Sequence, residues 1–171
     1  MVKLLLSLLG FKVRKVTPTE DERLTDKFLS HEVLASNYLK EEIKSEVTEF
    51  VISSKNGDVS SEKRKEKRNY FYENAFIDGV DSKIRRRHIG ELHTRGSKRH
   101  SMHRNYERMK KSGIKIYKVS GIHPKSCTWC QSVNGEVFPI SYDFPAMVDE
   151  KCKCELYTYL TIIAQIKGLD Y

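Results

Sequence analysis

All four cysteines of the chain fall in its last third, as Cys127-x-x-Cys130 and Cys152-x-Cys154, with 21 residues between the pairs. A Cys-x-x-Cys turn lets two thiolates face one tetrahedral ion, and zinc accepts four such ligands at about 2.3 Å. A Cys-x-Cys pair is tighter. On a strand its two side chains would point to opposite faces, so one thiol could face away from the ion. His123, four residues before Cys127, and Asp149, three before Cys152, therefore stand as substitute ligands. The same spacing also suits disulfides or free buried thiols. A redox-active Cys-x-x-Cys would need a βαβ setting, and none surrounds it. Trp129, inside the motif, reads as a core residue.

The second chemical signal is charge. The chain carries +8 over 171 residues, but the charge is unevenly placed. From Asp81 to Lys118 thirteen Lys and Arg stand against three carboxylates, a net +10 that exceeds the whole chain's value. Thr17–Phe50 is acidic, with nine carboxylates against four cations. A dense basic stretch is the footprint of phosphate or of an acidic protein surface. Its candidate contacts are Arg85, Arg86, Arg87, Arg95, Lys98, Arg99, Arg104, Arg108, Lys110 and Lys111. The competing reading pairs this face internally, with Glu41, Glu42, Glu46 and Glu49 as partners.

These groups must be held by the elements around them. Met1–Val13 has a Lys and a short apolar run but no small-x-small cleavage site, so it reads as a short buried or docking helix broken near Gly10. Thr17-Pro18-Thr19-Glu20 opens a helix, with acids in its first turn. Apolar residues from Leu24 to Phe50 recur at steps of mostly three to five, which predicts one long amphipathic helix or two joined ones. Ser53–Asp58 reads as a loop, and Ser60 begins another helix ending in aromatics. Asp81 or Ser82 caps the basic helix, which runs to Ser112-Gly113; Gly96 marks a kink or a break.

After Gly113 the pattern changes. Ile114–Val119 alternates as a strand does. Asn134-Gly135 lies between β-formers, a hairpin signal. Cys154–Tyr159 reads as a third strand, and residues 159–171 as an apolar tail. The expected fold class is α+β: a helical N-terminal two-thirds, with 1–80 as its first region, then a small zinc-knuckle-like β-hairpin domain. No stretch approaches the ~18 apolar residues of a membrane span, and four cysteines are too few for a disulfide-dense secreted scaffold.

The chain contains no Gly-x-x-x-x-Gly-Lys-Ser/Thr, Gly-x-Ser-x-Gly or His-Glu-x-x-His. His88, His93, His100 and His103 lie along the basic helix, where surface placement is the plainer reading. A metal-dependent nuclease built on the Cys-x-x-Cys would need metal-holding residues on a C-terminal helix. The segment Leu160–Ile166 is apolar instead.

Taken together, Lys110–Val119, His123–Cys130, Asn134–Ile140 and Cys152–Leu156 resemble the phage Mu F-like head morphogenesis (minor capsid) family. That family has a helix ending in Gly, a strand, a Cys-x-x-Cys, a Gly-x-x-Phe hairpin and a closing Cys-Arg-Cys, here Cys152-Lys153-Cys154. Where the family commonly has a His before the closing pair, this chain has Asp149. The resemblance spans about residues 85–158, so 81–158 is expected to be the head-morphogenesis domain. It implies a non-enzymatic minor structural protein of a tailed-phage head, present in few copies. Its expected partners are the portal or other head proteins, with DNA met through the basic helix. Its expected place is the virion head, and the host cytoplasm during assembly. Its expected cofactor is a structural zinc ion. The alternative reading is a zinc-binding nucleic-acid-binding module, and after it a metal-dependent nuclease.

Overall fold

The computed structural model describes residues 19–55 and 60–166. The expected helix over Met1–Val13 and the Asn-Gly-Asp part of the first loop lie outside the described residues. The rest is α+β, mostly helical, with a small three-stranded antiparallel sheet near the C-terminus.

The amphipathic stretch folds as two helices. α1 (Glu20–Leu34) starts at a capping box: the Thr19 hydroxyl accepts from the Glu22 N–H while the Glu22 carboxylate accepts from the Thr19 N–H. A 3₁₀ turn at Glu41–Ile43 leads into α2 (Lys44–Lys55). α3 (Ser61–Asn74) is capped by Ser60, and α4 (Ser82–Lys111) by Asp81. The α1–α2 link and the end of α3 are tied by an isolated bridge, Leu39 to Phe76, so the three helices close on one another.

α4 is one unbroken helix of 30 residues, about 45 Å at 1.5 Å per residue. It runs through both hydrophobic clusters. Its Leu92 joins Leu29, Val33, Val47, Phe50, Val51, Phe71 and Phe76. Its Met102, Tyr106 and Met109 join the C-terminal cluster built on Tyr117, Val119, Phe144, Val148 and Ile162. Gly96 does not break the helix. A Cβ there would lie 2.7 Å from Leu29 Cδ2 and 3.0 Å from Leu29 Cα. The glycine lets the α1 backbone press directly against α4.

Beyond α4, β1 (Ile116–Ser120) is the central strand, with β2 (Val137–Pro139) and β3 (Thr161–Gln165) on either side. Tyr117 pairs with Phe138 and Ala164, and Val119 with Ile162. Two sequence expectations change here. Asn134-Gly135 does not form a two-residue hairpin. It ends a short helix, α5 (Thr128–Val133), and Gly135, at φ +90, turns the chain so that its N–H reaches the Val119 carbonyl at 2.8 Å. The third strand is not Cys154–Tyr159 but Thr161–Gln165, inside the stretch read as a tail. It gains a full ladder on β1, whereas Cys154–Tyr159 spans the gap from α6 (Phe144–Lys151) as irregular backbone. No helix among the described residues is long and apolar enough to cross a membrane.

His88, near the start of α4, is buried with its Nε2 at 2.7 Å from the Ser36 hydroxyl and its ring edge-on to Tyr38. Burial, helped by the nearby Arg95 charge, pulls its pKa down to about 4. Folded His88 is thus neutral at pH 7, and Glu91, 3.9 Å away, faces an uncharged ring.

Two expectations follow. Gly96→Ala should destabilise the chain by about 1–3 kcal/mol in chemical denaturation, the range for forcing a methyl group into a filled interface. Gly90→Ala meets open space and should be neutral or stabilise by roughly 0.5–1 kcal/mol; equal effects would remove the close-approach role of Gly96. For His88, the unfolded ring takes up a proton near pH 6.5 and the folded ring only near 4. Its contribution is therefore complete above 6.5 and lost as pH falls toward 4. The stability difference between wild type and His88→Gln should be largest at pH 7 and shrink by pH 4. A pH-independent difference would contradict the buried neutral assignment.

Candidate metal centre

Cys127 sits at the N-cap of α5, and Cys130 lies one turn along it. That places both thiols on one side of the helix start. The partner pair comes from the other side of the domain. Cys152 caps the C-terminus of α6, and Cys154 follows in extended, irregular backbone. Because the pair is not on a strand, the alternation expected to turn one thiol away does not operate. All four Sγ atoms lie within 4.8 Å of one another, and Cys130 Sγ is 3.7 Å from both Cys152 Sγ and Cys154 Sγ. Four sulfurs at about 2.3 Å from one tetrahedral ion would be about 3.8 Å apart. A disulfide would need about 2.05 Å, and all four cysteines are free.

The surroundings suit thiolates. The Cys127 N–H points at Cys154 Sγ at 3.3 Å, the Lys153 N–H at Cys127 Sγ at 3.3 Å, and the Cys154 N–H at Cys152 Sγ at 3.4 Å. Burial raises the Cys127 pKa, but backbone N–H groups of Cys130 and Lys153 outweigh it and bring the thiol to about 7. Burial pushes Cys130 well above the ordinary thiol value and Cys152 up to about 11. Protein groups alone therefore leave the inner thiols protonated. A divalent cation at their centre is the charge that would release those protons. Thr158 completes the shell: its Oγ1 accepts from the Leu160 N–H at 3.0 Å and faces Cys130 Sγ at 3.4 Å. Nothing in the sequence marked Thr158, because its relation to Cys130 depends on the irregular path of residues 154–160.

Neither proposed substitute ligand joins the group. His123 stacks on Tyr159, with ring centroids 4.3 Å apart, and its Nδ1 accepts from the Lys125 N–H at 3.1 Å. Asp149 is occupied on the α4 side. It accepts from the Tyr157 hydroxyl at 2.5 Å, meets His103 Nε2 at 3.0 Å, and forms an ion pair with Arg99 Nε at 2.9 Å. That Arg99 N–H is not aligned as a hydrogen bond. Burial opposes ionisation of Asp149, yet these donors hold its pKa below the ordinary carboxylate value. Trp129 is half-buried and stacks on Phe144 at 5.9 Å, against the C-terminal cluster.

The ten basic candidates divide. Arg95 and Arg99 turn inward. Arg95 Nε is 2.6 Å from Glu32 Oε2, and its Nη1 donates to the carbonyls of Cys154 and Glu155 at 3.0 and 2.8 Å. Arg99 reaches Glu32 at 3.3 Å as well as Asp149. These two are corrected from surface contacts to internal links. Arg104 faces Asp21 at 3.4 Å, Arg87 faces Glu91 at 3.5 Å, and Lys110 pairs with Glu107 at 3.0 Å. Lys98 lies over the Tyr159 ring at 4.5 Å. Internal pairing is thus real but uses Asp21, Glu32 and Asp149; Glu41 and Glu46 pair instead with Lys44 and Lys67. Arg85 donates to the Val80 carbonyl at 2.9 Å, and Arg86, Arg108 and Lys111 remain exposed.

No family model matches the chain, and no curated protein and no solved structure matches it either.

The geometry predicts one divalent ion per chain by elemental analysis. Cys130→Ser should lose most of it, and His123→Ala should retain it. Chelation should release Trp129 fluorescence from its packed state before the helical signal melts. Metal-free protein with unchanged Trp129 emission would contradict the assignment.

Proposed function

We propose that the chain is a zinc-stabilised minor structural protein of a tailed-phage head, associated with the portal and acting in capsid assembly or in DNA packaging and delivery. The observation that supports it is the convergence of Cys127, Cys130, Cys152 and Cys154 on one centre, all sulfurs within 4.8 Å. These residues belong to the segments that carry the resemblance to the Mu F-like family. They follow a long basic helix, a strand and a short Cys-bearing turn in the order that the resemblance implies. An all-thiolate, four-coordinate set selects soft tetrahedral ions, of which zinc is the redox-inert one. Such a set leaves no open coordination position for water or substrate, so in this reading the ion fastens the fold and performs no chemistry. The protein's place would be the virion head, and the host cytoplasm during assembly.

A second reading, a zinc-supported nucleic-acid-binding module, draws on a different observation. Arg86, Arg108 and Lys111 remain exposed after the internal pairs of α4 are formed.

The test is fractionation of phage particles. The chain should travel with DNA-filled heads in a density gradient, at a few copies per particle, and should co-purify with the portal after nuclease digestion. Absence from purified heads, with recovery only alongside nuclease-sensitive nucleic acid, would favour the second reading. Zinc, not iron, should be the bound metal by elemental analysis.

A further inference from the structure

A cleft of about 730 Å³ opens between α2, α3 and the start of α4, and no cysteine lines it. Four arginines line it, Arg64 and Arg68 from α3 and Arg85 and Arg86 from α4, and no Asp or Glu among the described residues does. Like charges gathered at one cleft without a carboxylate in its described lining favour the entry of an anion. Arg85 is already oriented: its Nε donates to the Val80 carbonyl at 2.9 Å, and its guanidinium lies over the Phe76 ring at 5.8 Å. Its terminal N–H groups remain for a ligand. The guanidinium groups of Arg68 and Arg86 have no ion pair among the described residues.

A second observation is independent of charge. Ser54, at the end of α2, lines the cleft, and its buried hydroxyl has no hydrogen-bond partner among the described residues. A buried hydroxyl without a partner costs free energy that a small local shift toward a ligand's polar atom would restore. The inner wall is apolar, from Phe50, Val51 and Ile89, and Tyr72 adds an aromatic side. The volume falls within the roughly 300–1,000 Å³ of organic-ligand sites. Inorganic phosphate would satisfy the arginines but leave the apolar wall uncovered.

We infer that this cleft binds a nucleoside phosphate: phosphoryl oxygens on Arg68, Arg85 and Arg86, and the flat base against Tyr72 and the apolar wall. Arginine suits this task because its planar fork donates two parallel hydrogen bonds to phosphate. The same chemistry arrives from two sources, a free nucleotide or one residue of a single-stranded nucleic acid. The site uses none of the cysteines, so its fate is separate from that of the metal and portal assignments.

The test is isothermal titration of the full-length chain at low salt with ATP, with dAMP, with a single-stranded DNA 12-mer, and with inorganic phosphate. Saturable binding of ATP or dAMP is expected if the source is a free nucleotide, and of the 12-mer alone if it is a polymer. In either case Arg68→Ala/Arg86→Ala should weaken binding at least about tenfold, the loss expected from one charged hydrogen bond. Both side chains are exposed, so the thermal melt of the double variant should match wild type. Ser54→Ala should weaken binding less. The proposal is overturned if neither nucleotide nor 12-mer binds, if the double variant binds them unchanged, or if inorganic phosphate binds as tightly as ATP.

Discussion

The fold depends on two carboxylates that neutralise the middle of a cationic helix. α4 is too polar to be buried by its apolar stripe alone, yet it is the element shared by both hydrophobic clusters. Glu32, 7% exposed at its side chain, takes Arg95 and Arg99 together; Asp149, on α6, takes Arg99 and His103. The helix is therefore gripped from α1 on one side and from α6 on the other. Bringing charges out of water is costly, and such a network is tolerable only when every member is matched. Removing Glu32 would leave Arg95 without a carboxylate, and removing Asp149 would leave Arg99 only Glu32, at 3.3 Å. The pairs thus set the relative placement of helical and sheet halves more than they add net stability.

The same network reaches the thiols. Arg95 spends its Nη1 on the carbonyls of Cys154 and Glu155 while its Nε stays on Glu32. Two residues later the chain does something unusual: Tyr157 adopts φ +63, a left-handed conformation that costs a residue with a side chain roughly 1–2 kcal/mol. Burial of its ring, and a hydroxyl donated to Asp149 at 2.5 Å, oppose that cost. The turn carries Thr158 inward to Cys130 and sends Leu160 and Thr161 into β3. One acidic side chain, Asp149, therefore orders both α4 and the loop that closes over the sulfur cluster. Its neighbourhood explains why it is unavailable as a metal ligand despite standing three residues before Cys152.

Local signals were readable and long-range pairings were not. Thr19, Ser60 and Asp81 announced helix starts because capping is settled within four residues. The two cysteine pairs marked a possible metal site because ligand spacing is also local. Asn134-Gly135 misled because a tight turn after a helix and a hairpin turn demand the same left-handed residue. Which one forms depends on Val119, the partner of the Gly135 N–H, sixteen positions earlier. Thr161–Gln165 is a short apolar run that periodicity alone cannot type; β1 makes it a strand through Ile116–Ser120. Gly96 looked like a helix breaker because its use, a close approach by Leu29, lies 67 residues away in the chain.

The basic stretch shows why a charge count is a poor guide to a surface. Successive helical residues point about 100° apart, so Arg85, Arg86 and Arg87 do not share one environment. Arg85, held by Val80 and Phe76, and Arg86 line the cleft beside α3, whereas Arg87 turns toward Glu91 and Glu155. A further turn along, Arg95 and Arg99 are consumed inside the protein. The net +10 is therefore not one electrostatic patch. Part of it is a framework charge, offset by Asp21 and Glu32 from α1 and Asp149 from α6, and the rest stays outward. Any partner that reads this helix by its charge meets that remainder, and the acids that cancel the rest are what allow so cationic a helix to lie at the centre of a fold.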